Sequence, residues 1–137
     1  MGWDEPVDDL TRTKWIAWLS QLKSLRLFKV PRWFGYVTNV TDEIQLHIFC
    51  DASEAAFAAV AYVRVKDSDG KITTNLLMSK SRVAPIKTLT LPRLELQGAI
   101  LGIRLKNLIV KEMKLRFGVI NFWTDSTINL QYINSYD

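Results

Sequence analysis

Helical periodicity in the first third of the chain gives way to short apolar runs after residue 44. Apolar residues recur at steps of three and four between 15 and 25, which predicts an amphipathic helix from Asp8 or Asp9 to about Leu27. Either aspartate is a suitable N-cap. Residues 28–34 are expected to be extended, because Pro31 restricts the residue before it. We assign residues 1–44 to a connector, a helical arm that docks on another domain or packs on its own. Its apolar stripe consists of Trp15, Trp18, Leu19, Leu22 and Leu25.

The remaining residues, 45–137, predict an α/β domain with the element order β-β-β-α-β-α. Apolar runs at 45–51, 57–66, 71–81 and 119–124 predict four strands. The turn Asp67-Ser68-Asp69-Gly70 makes the second and third strands an antiparallel hairpin. A loop at 84–90 precedes a long helix from about Leu91 to Leu115, and a last helix begins near Ser126. Because a helix connects the third and fourth strands, we expect a mixed sheet.

Composition narrows the class of protein. The chain has 137 residues, enough for one domain, and 48% of them are hydrophobic. No apolar run reaches about 18 residues, and the acidic start lacks the features of a secretory signal. One cysteine, Cys50, excludes an internal disulfide and favours a reducing compartment. With His47 as the one histidine, a zinc site of the usual kind cannot be built within one chain.

The net charge of +4 lies entirely in the second part of the chain. Residues 1–45 hold six basic and six acidic residues, whereas residues 46–137 hold twelve basic and eight acidic residues, a difference of four. If three of those eight acidic residues bind metal, the other charged residues in this part of the chain are twelve basic and five acidic ones. That balance favours a polyanionic partner. An ordinary basic surface is the alternative, and charge alone does not decide between them.

Three acidic residues stand where a soluble domain has little structural reason to keep them. Asp51 ends the first strand in LHIFCDAS, Glu95 lies among leucines in TLPRLELQGA, and Asp125 follows the fourth strand in NFWTDSTINL. Buried or half-buried carboxylates are costly unless they are paired or bound to metal. Three of them converging would offer oxygen ligands to a hard cation and support metal-assisted phosphodiester chemistry. Singly, Glu95 could be a solvated acid near a helix start, and the aspartates could be turn or cap residues.

These segments together resemble the ribonuclease H domain of BEL/Pao-type LTR retrotransposon polyproteins. The resemblance lies in IFCDASEAAFAAVAYVR, LMSKSRVAPIKTLTLPRLELQGAILG and FWTDSTINLQYI, with acidic residues separated by 44 (95 minus 51) and 30 (125 minus 95) positions. The first segment, GWDEPVDDLTRTKWIAWLSQL, resembles the connector that follows the reverse transcriptase. A lone DAS or TDS is weak evidence, but the three motifs in this order are specific.

The resemblance implies a ribonuclease-H-like fold that cleaves the RNA strand of RNA–DNA hybrids with two Mg²⁺ ions, for which Mn²⁺ can substitute. It maps the catalytic and metal-binding acids onto Asp51, Glu95 and Asp125. The family's fourth acid, last strand and last helix have no counterpart, so we expect a C-terminally truncated domain. Expected partners are the hybrid and the reverse transcriptase domain of the same polyprotein, with no membrane. The expected location is a cytoplasmic retroelement particle or the nucleus.

Further residues near the motifs are candidates for nucleic-acid contacts, with solvated charge or local capping as the alternative. Ser126 is also a suitable N-cap for the last helix. We interpret His47 as structural, Cys50 as a buried small apolar residue and Trp123 as a core residue. The candidate contacts to hybrid phosphates are Ser53, Lys80, Arg82, Lys87, Arg93 and Ser126.

Other functions stay open. A catalytically inactive nucleic-acid-binding or scaffold remnant is the main alternative, because the fourth acid is missing. Integrase-like strand transfer on the same fold is a distant third. Peptidase activity is disfavoured, since neither Asp125-Ser126-Thr127 nor the turn at 67–70 forms an Asp-Thr-Gly or Asp-Ser-Gly segment.

Overall fold

The computed structural model describes residues 4–29, 43–87, 89–113 and 115–134. The chain divides into two compact units, Met1–Arg32 and Trp33–Asp137. In the first unit, α1 spans Asp9–Leu22 and a 3₁₀ turn spans Lys23–Leu27. The helix therefore ends at Leu22, earlier than expected, because its last stretch tightens into 3₁₀ geometry. From residue 30 onward, the expected extended segment at 28–34 lies outside the described residues.

The start of α1 is capped as predicted. Asp8 accepts hydrogen bonds from the backbone N–H of Thr11 at 2.8 Å and from its hydroxyl at 2.7 Å. These bonds hold the pKa of the Asp8 carboxyl below its ordinary value of 3.8. No residue of α1 is buried. In the apolar stripe, Leu22 is half-buried and the others are exposed: Trp15, Trp18, Leu19 and Leu25. Within it, the rings of Trp15 and Trp18 stack with centroids 4.9 Å apart.

The second unit is a mixed sheet with two helices, which confirms the predicted fold class. The elements are β1 (Glu43–Ala52), β2 (Ala56–Lys66), β3 (Ile72–Val83), α2 (Leu91–Met113), β4 (Val119–Trp123) and α3 (Thr127–Asn134). The sheet order is β3-β2-β1-β4, with β1 antiparallel to β2 and parallel to β4. β2 and β3 form the antiparallel hairpin predicted from the turn at 67–70.

The core lies between one face of the sheet and α2. Alternate residues of β1 are buried on this face, and Cys50 is among them, as predicted. The buried face of α2 carries Leu94, Leu101, Leu105 and Ile109, whereas Leu108 is only half-buried. The main core cluster consists of Leu46, Ile48, Cys50, Ala59, Ala61, Leu101, Leu105 and Ile109.

The opposite face of the sheet carries aromatic side chains. Trp123 pairs in register with Phe49, and the two rings stack with centroids 5.8 Å apart. Since Trp123 is 49% exposed, its assignment to the core is wrong. Its side chain lies with Phe49 on the face away from α2, because the strand alternates. The Trp123 Nε1–H donates to Nδ1 of His47 at 3.1 Å, so His47 makes a structural contact.

Among the described residues, no helix is both long and apolar enough to cross a membrane.

Candidate active site at the ends of β1 and β4

Asp51 and Asp125 lie at equivalent places on two neighbouring parallel strands. The last paired residues of β1 and β4 are Phe49 and Trp123, and each acid follows two residues later. Both acids line one cleft of about 400 Å³, together with Phe49, Cys50, Trp123 and Thr124. The sequence thus correctly predicts that two strand ends bring these carboxylates to one place.

Both aspartates are more exposed to solvent than expected. The sequence predicts buried or half-buried carboxylates, whereas Asp51 and Asp125 are exposed. The reason for Asp51 is strand alternation, which places it on the face of Phe49, away from α2. One of its oxygens, Oδ1, accepts the Ala52 N–H at 2.7 Å and so fixes the carboxylate orientation.

A close contact with α2 holds the end of β1. A Cβ added at Gly98 would lie 3.1 Å from the Asp51 carbonyl oxygen, tighter than an ordinary contact. Gly102, one turn later, packs directly against Cys50. These two glycines therefore permit a close approach of α2 to β1 at the position of Asp51.

Glu95, on α2, contacts the polypeptide just after β4. Its half-buried carboxylate accepts a hydrogen bond from the Ser126 hydroxyl through Oε2. The Ser126 Oγ in turn accepts the Asn129 N–H at 3.2 Å, which confirms Ser126 as the N-cap of α3. Ser126 is 5% exposed, so this hydrogen bond is shielded from bulk water. The hydrogen bond between Ser126 and Glu95 therefore links α2 to the residue that follows Asp125.

In the part of the chain that the structure describes, no three His, Cys, Asp or Glu side chains are grouped closely enough to hold a metal ion together. The cleft nevertheless offers two carboxylates, Asp51 and Asp125. That donor set suits Mg²⁺, which keeps several waters and uses one or two carboxylates with substrate phosphate oxygens. The assignment of Asp51, Glu95 and Asp125 as metal ligands and catalytic residues stays a prediction.

Of the basic residues among the candidate nucleic-acid contacts, Lys80 lines a cavity that Asp51 also lines. It lines a cavity of about 260 Å³ with Asp51, Phe49, Ser79 and Ser81, among others. Arg82, Lys87 and Arg93 are exposed, but they are not among the residues that line these two cavities.

The two serines among these candidates make local hydrogen bonds. The Ser53 hydroxyl donates to the Ala56 carbonyl at 3.2 Å and accepts the Ala56 N–H at 3.2 Å, so it stabilises the β1–β2 turn. Ser126 donates to Glu95. A nucleic-acid role for either serine stays a prediction.

Asn129 is a buried polar residue next to the Glu95–Ser126 contact that the sequence does not reveal. It is 2% exposed and lies three residues after Ser126 on α3. Both polar atoms of its carboxamide are buried without a hydrogen-bond partner among the described residues. An isolated asparagine between Ile128 and Leu130 gives no signal of burial, because a short helix can turn either face inward.

One family model and one solved structure match the chain. A family model described as "Pao retrotransposon-like RNaseH-like domain" matches residues 1–126. Among solved structures, the chain is similar to LC11-RNase H1, crystallised in complex with an RNA/DNA hybrid, at 18% sequence identity and a TM-score of 0.38. That match covers 69% of this chain and 63% of the other, less than two thirds of its length. No curated protein matches the chain.

Proposed function

The chain belongs to the Pao retrotransposon-like RNaseH-like domain family, and on this basis we propose that it cleaves the RNA strand of RNA–DNA hybrids. The observation that carries the proposal is the shared cleft of Asp51 and Asp125 at the ends of β1 and β4. Ends of parallel strands in α/β sheets are common locations of catalytic groups. Carboxylates can bind the metal ions that phosphodiester hydrolysis uses to stabilise the attacking oxygen and the leaving oxygen.

Asp51 and Asp125 would hold divalent cations from the two strand ends, and Glu95 would contribute from α2. Mg²⁺, as two ions, would activate a water molecule and neutralise the leaving oxygen when bound. The Ala52 N–H orients the Asp51 carboxylate, and the Ser126 hydroxyl orients the Glu95 carboxylate. These two hydrogen bonds place the carboxylates before any ligand arrives, which lowers the cost of assembling the site.

Lys80 supports substrate binding next to these acids. Lys80 is an exposed residue of β3, and it lines one cavity together with Asp51. A lysine there offsets phosphate charge and fixes the position of the strand without selecting sequence. We include Arg82, Lys87 and Arg93 as outer phosphate contacts and Ser53 as a hydroxyl contact. Ser126, whose buried hydroxyl donates to Glu95, would act on the substrate through that carboxylate.

The test is cleavage of a labelled RNA–DNA hybrid by the purified chain, in Mg²⁺ and separately in Mn²⁺. We expect cleavage of the RNA strand that is lost in Asp51→Asn and retained in Asp69→Asn. Asp69 is a matched control, because it is an exposed aspartate in the turn between β2 and β3. Unchanged cleavage by Asp51→Asn would refute the assignment.

A catalytically inactive nucleic-acid-binding or scaffold domain is the second candidate. The observation that favours it is that the described part of the chain groups no three metal-ligating side chains. It predicts that the chain binds the hybrid in a gel-shift assay but cleaves neither strand in either cation. Both candidates predict hybrid binding, so cleavage alone separates them.

We extend the proposal to partner and location. The reverse transcriptase of the same polyprotein is the proposed protein partner, and a cytoplasmic retroelement particle or the nucleus is the proposed location. Co-expression with that domain, followed by affinity purification of either partner, tests the association. Fractionation of cells expressing the polyprotein tests the location, and recovery with membranes would contradict it.

A further inference from the structure

Asn129 is buried in a way that packing alone does not explain. Its neighbours Ile128 and Leu130 are 38% and 46% exposed, whereas Asn129 is 2% exposed. The helix therefore turns a carboxamide inward and two apolar side chains outward, the reverse of the usual arrangement. A buried polar group without a partner costs about 1–3 kcal/mol. A leucine at position 129 has the same branched shape, though larger terminal groups, and would avoid that cost.

The backbone of Asn129 is joined to the Glu95–Ser126 contact. The Asn129 backbone N–H donates to Ser126 Oγ at 3.2 Å, and the same oxygen carries the hydroxyl that donates to Glu95 Oε2. Ser126 uses its one proton on Glu95, so it cannot donate to anything else. The carboxamide of Asn129 has two further N–H donors, and a carboxylate has several acceptor positions.

We propose that Asn129 is a positioning residue for Glu95: its Nδ2–H group donates to the Glu95 carboxylate through one enclosed water molecule. Glu95 is then held by two donors from the start of α3, the Ser126 hydroxyl and the Asn129 amide. With its orientation fixed, the carboxylate is aligned with the strand ends of Asp51 and Asp125. This role of Asn129 rests on the proposed function of that site.

The orientation of α3 follows from the same arrangement. Ser126 and Asn129 are three residues apart and therefore share one face of the helix. Both are buried, while Ile128 and Leu130 are partly exposed. The polar pair, rather than the apolar residues, faces inward, which is expected if this face serves Glu95.

The first test needs neither metal nor substrate. In the ¹⁵N-labelled chain, the side-chain NH₂ signals of Asn129 are assigned by their absence in Asn129→Leu. We expect Glu95→Gln to shift these signals and to speed their hydrogen exchange about tenfold, because the charged acceptor is lost. Asp51→Asn, at the other side of the site, should leave them unchanged. Signals that do not respond to Glu95→Gln would overturn the proposal.

The second test measures Mn²⁺ affinity by electron paramagnetic resonance, with thermal unfolding in parallel. We expect Asn129→Leu to unfold at the same or a higher temperature, yet to bind Mn²⁺ about tenfold more weakly, as for loss of a group that orients a metal ligand. Equal affinity in the two proteins would overturn the role of Asn129 at the metal site. Absence of Mn²⁺ binding by the wild type would instead refute the proposed metal site, and with it this role of Asn129, while the NMR result separately decides the contact with Glu95.

Discussion

Gly102 of α2 packs so closely on Cys50 of β1 that a Cβ at position 102 would overlap the Cys50 sulfur. The helix can therefore approach the central strand only where it carries no side chain. Because Cys50 immediately precedes Asp51, this contact fixes the end of β1 on which the site depends.

We predict that Gly102→Ala destabilises the chain by about 1–3 kcal/mol, the usual cost of overpacking a core. Urea unfolding measures the change. Adding Cys50→Ala removes the sulfur, so the double variant should recover part of the loss. Gly118→Ala is the matched control, since its Cβ would meet the Ile44 carbonyl oxygen at an ordinary 3.7 Å. Additive effects of the two substitutions would contradict the packing account.

Cys50 also predicts a dependence of stability on alkaline pH. Burial raises the pKa of its thiol above the ordinary value of 9.0, against a smaller lowering by the Gly102 backbone. The folded state therefore resists forming the thiolate, and the unfolded state loses the proton first. The stabilising contribution is fully present below pH 9.0 and is lost as the pH rises through the folded pKa.

The free energy of unfolding should thus fall more steeply above pH 9 in the wild type than in Cys50→Ala. Urea unfolding between pH 7 and 10.5 measures both slopes, and titration of lysines and tyrosines is common to the two proteins. Parallel curves would contradict this effect of burial.

The order of elements was predictable because each depends on local sequence. The Asp67–Gly70 turn specifies the hairpin, and the apolar periodicity of 91–113 specifies the long helix, which forces β4 parallel to β1. Predicting where β1 and β4 end also predicts the positions of Asp51 and Asp125, which lie at those ends. Local sequence therefore determines which elements form and where they end.

Which face a residue occupies was less predictable. Trp123 belongs to a run of apolar residues, VINFW, whose pattern does not show which side α2 covers. The hydrogen bond between Ser126 and Glu95 was not predictable from local sequence, since the two residues are 31 positions apart. The burial of Asn129 likewise had no local signal.

Lys80 should contribute to hybrid binding through phosphate charge. We expect Lys80→Ala to weaken binding at every sequence tested and to reduce the slope of log affinity against log salt by about 0.7–0.9. Fluorescence anisotropy with a labelled hybrid at several salt concentrations measures both quantities. Lys111→Ala is the matched control, because Lys111 is an exposed lysine in the last turn of α2. An equal effect of the two substitutions would show that Lys80 acts only through net charge.

The proposed function requires that Asp51 and Asp125 together form one site for a divalent cation. Paramagnetic broadening by Mn²⁺ tests this requirement, because amide signals near a bound ion disappear from the NMR spectrum. We predict selective loss of the signals of Asp51, Ala52, Thr124 and Asp125 at low Mn²⁺, and recovery of all four in either Asp51→Asn or Asp125→Asn. Broadening that is uniform over the surface, or that persists at one strand end when the other aspartate is replaced, would contradict the claim.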